Sequence, residues 1–151
     1  MAFRALGHGM KVGMVQFIKG NLPTGEQASV RMHSGKMDLH TLGEGFTWDT
    51  QDRERDIEVA GVAWEKSLEL MEDPSYDLVI LDELNIVLKY DYLPVQTVIS
   101  ALTSKRHDLH VVVTGRYAPR ELLEMADLAT ETKVIKHPYS QGIKAQKGLE
   151  F

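Results

Sequence analysis

Apolar and polar positions along the chain alternate between two periods, and the two periods divide it into strands and helices. Lys11 to Ile18, K-V-G-M-V-Q-F-I, is a mostly apolar run rich in β-formers and predicts a first strand. Met37 to Leu42 alternates in the manner of a half-buried strand. Asp77 to Asp82, with the four consecutive apolar residues Leu78 to Leu81, and Leu109 to Thr114 read as buried strands, and Leu128 to Ile135 reads as a last strand. Between them the spacing turns helical. Met1 to Leu6 reads as the last turns of a helix closed by Gly7-His8-Gly9, and Glu26 to His33 as a short helix. Asp49 or Thr50 can cap a long helix with acidic first turns at Asp52, Glu54 and Asp56. Its residues Ile57, Ala60, Ala63, Trp64, Leu68 and Met71 share one face, and Pro74 stops it. Leu93-Pro94 opens another helix with proline at its first position and Val95, Val98, Ile99 and Leu102 on its apolar side. Pro119 to Met125 is a short one.

Strands alternating with helices, several of them unbroken apolar runs, predict an α/β fold with a mostly parallel sheet covered on both faces. Open sheets of this kind place ligands beyond the carboxyl ends of their strands. Gln16 and Lys19, Asp82 and Glu83, and Thr114 and Arg116 lie at or just past such ends.

Composition narrows the class. The 151 residues suit a single domain with a sizeable core, and 43% hydrophobic with 26% charged residues is the balance of a soluble globular protein. The net charge of -5 argues against a nucleic-acid footprint, although Lys133, Lys136, Lys144 and Lys147 gather near the C-terminus. There is no cysteine, hence no disulfide or thiolate metal site. The six histidines lack the spacing that would set two on one helical face. No apolar run has the length of a membrane span and Met1 to Lys11 lacks a signal-peptide core, so the expectation is a cytoplasmic protein away from the membrane.

Three stretches carry chemistry. V-I-L-D-E-L-N, Val79 to Asn85, drives a buried strand into two adjacent acids, Asp82 and Glu83. The acids either cap a turn and face solvent or help hold Mg²⁺ on a nucleotide, since Mg²⁺ takes one or two carboxylates and completes its shell with phosphates and water. Gly43 to Thr50 holds Phe46 and Trp48 in a glycine-flanked loop, where they either staple the next helix or cover a flat ligand. Arg116, after Thr114-Gly115, either clamps a phosphate or pairs with a surface acid. Tyr90-Asp91-Tyr92 is read as packing for the helix start rather than as a cleft wall.

These stretches, in their order and spacing, resemble the P-loop type of ATP:corrinoid adenosyltransferase. The resemblance runs through R-A-L-G-H-G-M-K-V-G-M-V-Q-F-I-K-G, G-F-T-W-D-T-Q-D-R-E-R-D, L-V-I-L-D-E-L-N, K-Y-D-Y-L-P, V-V-V-T-G-R and V-I-K-H-P-Y-S-Q-G-I-K-A-Q-K-G-L-E-F. It implies a RecA-like fold, usually homodimeric, that takes ATP with Mg²⁺ and a corrinoid, and an electron donor such as a reduced flavoprotein. The corrinoid Co(I) attacks the ribose 5′-carbon of ATP and releases triphosphate, so cobalt is the nucleophile and no side chain serves as catalytic acid or base. Phe46 and Trp48 match the family's aromatic loop at the lower corrin face. Asp82 and Glu83 match its acidic strand end for Mg²⁺ and nucleotide, and Gln16, Lys19, Arg116 and His137 fall in matching segments around the ATP cleft.

In the family a first strand and a phosphate loop of G-N-G-K-G-K-T-T type precede the helix that here begins at Met1, and these residues hold no G-x-x-x-x-G-K-[ST]. The corresponding expectation is an N-terminally truncated sheet whose isolated chain turns over little ATP. The competing readings are a non-catalytic corrinoid-binding or dimer-forming remnant of the same family and, more distantly, an unrelated α/β protein whose aromatic loop only packs.

Overall fold

A computed structural model describes residues 1–18, 25–33, 35–43, 52–146 and 148. Helix α1 (Ala2–Gly7) leads into strand β1 (Val12–Gln16), followed by α2 (Gly25–Met32), β2 (Met37–Thr41) and the long α3 (Arg53–Glu72). Strand β3 (Leu78–Asp82), α4 (Leu84–Lys89), α5 (Val95–Ser104), β4 (His110–Val113) and α6 (Arg120–Met125) follow among the described residues, and Pro138–Gln141 forms a 3₁₀ turn. The four strands make one sheet in the order β2-β1-β3-β4, with every pair parallel. This is the α/β arrangement expected, consistent with a P-loop-NTPase-like fold, and no described helix is long and apolar enough to cross a membrane.

Alternation along the strands sorts their side chains onto two faces. Val15, Val79 and Leu81 join the larger core, which α3 closes with Ala60, Ala63, Trp64 and Met71 and to which α4 and α5 add Leu84, Val87, Val98 and Leu102. Val12, Leu78 and Ile80 face the other way, under Ala2, Ala5 and Leu6 of α1. The two central strands therefore bury both faces, which is why β3 reads as an unbroken apolar run: Leu78 to Leu81 are all buried.

Four local readings are corrected. The long helix is capped by Asp52, whose carboxylate accepts from the Arg55 N–H at 3.1 Å; Asp49 and Thr50 lie outside the described residues. Ile57, placed on the buried face, is 40% exposed, and the buried residues of α3 begin only at Ala60. Pro94 is the N-cap of α5 rather than its first residue. Residues 128–135 form no strand: Leu128, Val134 and Ile135 are 80%, 75% and 95% exposed and pair with none of the four strands. Strand preference is the preference of side chains for a pleated surface already in place, and this segment meets no such surface.

Candidate functional site

The register of the sheet brings the carboxyl ends of the strands into line. Gln16 stands opposite Thr41 on one side and opposite Asp82 on the other, and Leu81 stands opposite Val113, which puts Thr114 beside Asp82. A continuous hydrogen-bonded row follows. Thr41 Oγ1 donates to Gln16 Oε1 at 3.0 Å, and Gln16 Nε2 donates to Asp82 Oδ2 at 3.2 Å. From the opposite side Thr114 Oγ1 donates to Asp82 Oδ1 at 2.8 Å. The Glu83 backbone N–H donates to Thr114 Oγ1 at 3.0 Å. Gln16 is 1% exposed, so its amide is committed to this row.

Glu83 lies one step past the strand in a left-handed conformation, φ 64° and ψ 19°, at the N-cap of α4. That region costs a residue with a side chain on the order of 1–2 kcal/mol, so the turn must be held from outside. Two bonds from the end of β4 hold it: the one to the Thr114 hydroxyl, and one from the Asn85 N–H to the Thr114 carbonyl at 3.2 Å. Gly115 seals the same spot, since a Cβ there would lie 3.0 Å from Asn85 Cβ and 3.3 Å from Glu83 Cα. Glu83 Oε2 is shut off from solvent. The side chain of Asn85, 5% exposed, gives its Nδ2 to the Gly115 carbonyl at 3.3 Å, while its Oδ1 has no hydrogen-bond partner among the described residues.

Beyond Gly115 the chain turns again at Tyr117, φ 66°, and opens a surface cavity of about 360 Å³ lined by Ile86, Lys89, Tyr90, Arg116 and Tyr117. The Lys89 ammonium lies 3.5 Å from the Tyr117 ring centroid and 5.4 Å from that of Tyr90. Tyr90 also stacks on Tyr92 at 5.7 Å, and Tyr92 is buried and donates to Asp56 Oδ2 at 3.1 Å. Packing is thus the role of Tyr92, as expected, while Tyr90 serves both the packing and the cavity.

The sequence-predicted residues are distributed as follows. Gln16, Asp82 and Glu83 come together at the strand ends, and Arg116 follows two residues past Thr114, exposed, in the adjoining cavity. His137 is engaged locally: its Nδ1 accepts from the Tyr139 N–H at 3.1 Å as the cap of the 3₁₀ turn. Lys19, Phe46 and Trp48 lie outside the described residues. Thr41, Asn85, Lys89 and Tyr117 were not singled out in the sequence. Thr41 ends an alternating run, and that position at a strand terminus was the available signal.

Chemically, the arrangement is an acidic pair whose first member is oriented by two donors and whose second is fixed by its backbone. Among the described residues no three His, Asp or Glu side chains converge as a metal site. Two carboxylates at a strand end nevertheless suit Mg²⁺ carried on phosphates, because that ion requires few protein ligands.

Known proteins are similar to this chain over its whole length. The family described as ATP:corrinoid adenosyltransferase BtuR/CobO/CobP matches residues 1–151. A corrinoid adenosyltransferase of Sinorhizobium sp is 52% identical over 153 residues, covering 100% of this chain and 72% of that protein. One of Pseudomonas aeruginosa is 52% identical over 151 residues, covering 100% and 74%. Corrinoid adenosyltransferase CobA of Salmonella typhimurium is 41% identical over 150 residues, covering 99% and 76%. With its acids set at the end of a central parallel strand and its whole length matched, the chain belongs to the ATP:corrinoid adenosyltransferase family of transferases.

Proposed function

We propose that this protein transfers the 5′-deoxyadenosyl group of ATP to the Co(I) centre of a corrinoid. The cobalt–carbon bond forms as the bond from C5′ to the triphosphate oxygen breaks, and triphosphate leaves with the electron pair. The observation that carries the reading is the Asp82-Glu83 pair, held at the strand ends by Gln16 and Thr114 in a chain that belongs to this family. The reacting nucleophile is the substrate's own metal, so side chains are required to position and to stabilise charge rather than to move protons.

In this reading Asp82 and Glu83 are the residues that would hold Mg²⁺ with the nucleotide phosphates, and the ion would supply neutralisation of charge on the leaving triphosphate. Arg116 and Lys19 add positive charge beside the phosphates. Gln16 acts through Asp82, and His137 caps the turn of a C-terminal segment that approaches the nucleotide. Phe46 and Trp48 cover the lower face of the corrin and exclude its axial ligand. Loss of that donor makes cobalt easier to reduce by a flavoprotein, because less electron density reaches the metal. The working form is a cytoplasmic homodimer of RecA-like domains with no membrane or nucleic-acid partner.

The test is adenosylation of a chemically reduced corrinoid by the intact gene product, followed by loss of the Co(I) absorption and by triphosphate release. One triphosphate per Co–C bond is expected, with Asp82→Asn at least a hundredfold slower in kcat/KM. Release of ADP and phosphate without a Co–C bond would overturn the assignment.

A further inference from the structure

We infer that Thr114 and the Thr41–Gln16 pair are positioning residues for Asp82, a role that rests on the reading of Asp82 as a Mg²⁺ and nucleotide ligand. The direction of every bond in the row follows from the charge of one group. An ionised carboxylate only accepts, so Gln16 must turn its Nε2 toward Asp82 and its Oε1 away. An amide oxygen also only accepts, so the Thr41 hydroxyl must donate to it. On the other flank Thr114 spends its one hydroxyl proton on Asp82, which leaves its oxygen lone pairs to receive the Glu83 N–H. The row therefore has a single internally consistent polarity, and both ends of it converge on Asp82.

Two consequences follow for the site. Each Asp82 oxygen is engaged by one donor, from β1 on one side and from the end of β4 on the other, so the plane of the carboxylate is fixed before any ligand arrives. A cation held there would meet a carboxylate already oriented, the condition for a strong charge contact in a preorganised site. The Thr114 hydroxyl also couples the two acids. It orients the side chain of Asp82 and, through the Glu83 N–H, holds the left-handed turn that aims Glu83. Loss of this one hydroxyl loosens both carboxylates at once, whereas loss of the Thr41 hydroxyl, one residue further out, frees the Gln16 amide to rotate and loosens Asp82 alone.

The experiment is Mn²⁺ binding to the intact protein in the presence of ATP, read by electron paramagnetic resonance, with thermal melting as the check on folding. Asp82→Asn, Thr114→Val, Thr114→Ser and Thr41→Val are compared with the parent. Thr114→Val should weaken the Mn²⁺·ATP complex by about tenfold and Thr41→Val by about threefold, in the range of hydrogen bonds to a charged group and of a bond one step removed. Thr114→Ser, which keeps the hydroxyl, should bind as the parent does. If Asp82→Asn binds Mn²⁺·ATP as tightly as the parent, the assignment of Asp82 itself fails. If Asp82→Asn binds poorly while Thr114→Val and Thr41→Val bind as the parent, the positioning role alone fails. A Thr114→Ser protein as weak as Thr114→Val would also overturn it, because the loss would then come from packing. Should Thr114→Val not fold, the Thr41→Val and Thr114→Ser measurements decide between these outcomes.

Discussion

The same substitution at two glycines should change stability in opposite directions. Gly43 follows β2 and lies against the residues just past β1, and a Cβ built there would fall 2.5 Å from the Phe17 carbonyl oxygen and 2.8 Å from the Ile18 nitrogen. Ordinary carbon–oxygen contacts begin near about 3.3 Å, so Gly43→Ala must force the two backbones apart by roughly 0.8 Å. Overpacking of this kind costs about 1–3 kcal/mol. The Leu42 and Gly43 N–H groups both donate to the Gln16 carbonyl at 3.3 Å, and separation would stretch both bonds, each contributing about 1 kcal/mol. If both bonds are lost the total is about 3–5 kcal/mol, a large share of the roughly 5–15 kcal/mol of a typical domain. Gly61, in the interior of α3, has no atom within 4 Å of the same construction. There Ala removes only the helix penalty of glycine, and Gly61→Ala should stabilise by about 1 kcal/mol and raise Tm by about 2–4 °C. Equilibrium urea unfolding of both variants beside the parent measures the two effects. A Gly43→Ala protein as stable as the parent would refute the backbone clash. A Gly61→Ala protein less stable than the parent would refute the claim that only backbone conformation is at stake there.

Trp64, 5% exposed within the core under α3, should cost about 3–5 kcal/mol when replaced by Ala, read as the shift in urea midpoint. Trp48→Ala should abolish the four-coordinate Co(II) corrinoid spectrum, and an unchanged spectrum would remove the lower-face role. His40 is held below its ordinary pKa of 6.5, first by burial and then by the Lys66 charge, against the opposing pull of Asp38 and Glu69. Because the unfolded chain takes up this proton more readily than the folded one, the contribution is fully present above pH 6.5 and is lost as pH falls through the lowered folded value. His40→Asn should therefore flatten the fall in stability between pH 7.5 and acid pH; an equally steep curve in the variant would assign that fall to other groups.

Sequence alone determined the class of fold, the family and the place of the two acids at the end of β3. The continuous run of β3 and the acids that end it are local facts, since burial on both faces of a parallel sheet writes itself as adjacent apolar residues. Tertiary structure decided what the acids touch. Thr41 and Asp82 are separated in sequence from Gln16 by 25 and 66 residues, and only the parallel register of β1 with both neighbours turns three separate chain positions into one row. Glu83 carries no local signal for a left-handed turn; the end of β4 imposes it through Thr114 and the close approach of Gly115. Residues 128–135 carry a strand's composition without a strand's neighbours. Periodicity reports what a segment can bury, and the surface it buries against is supplied by chain far away in sequence, which no local pattern records.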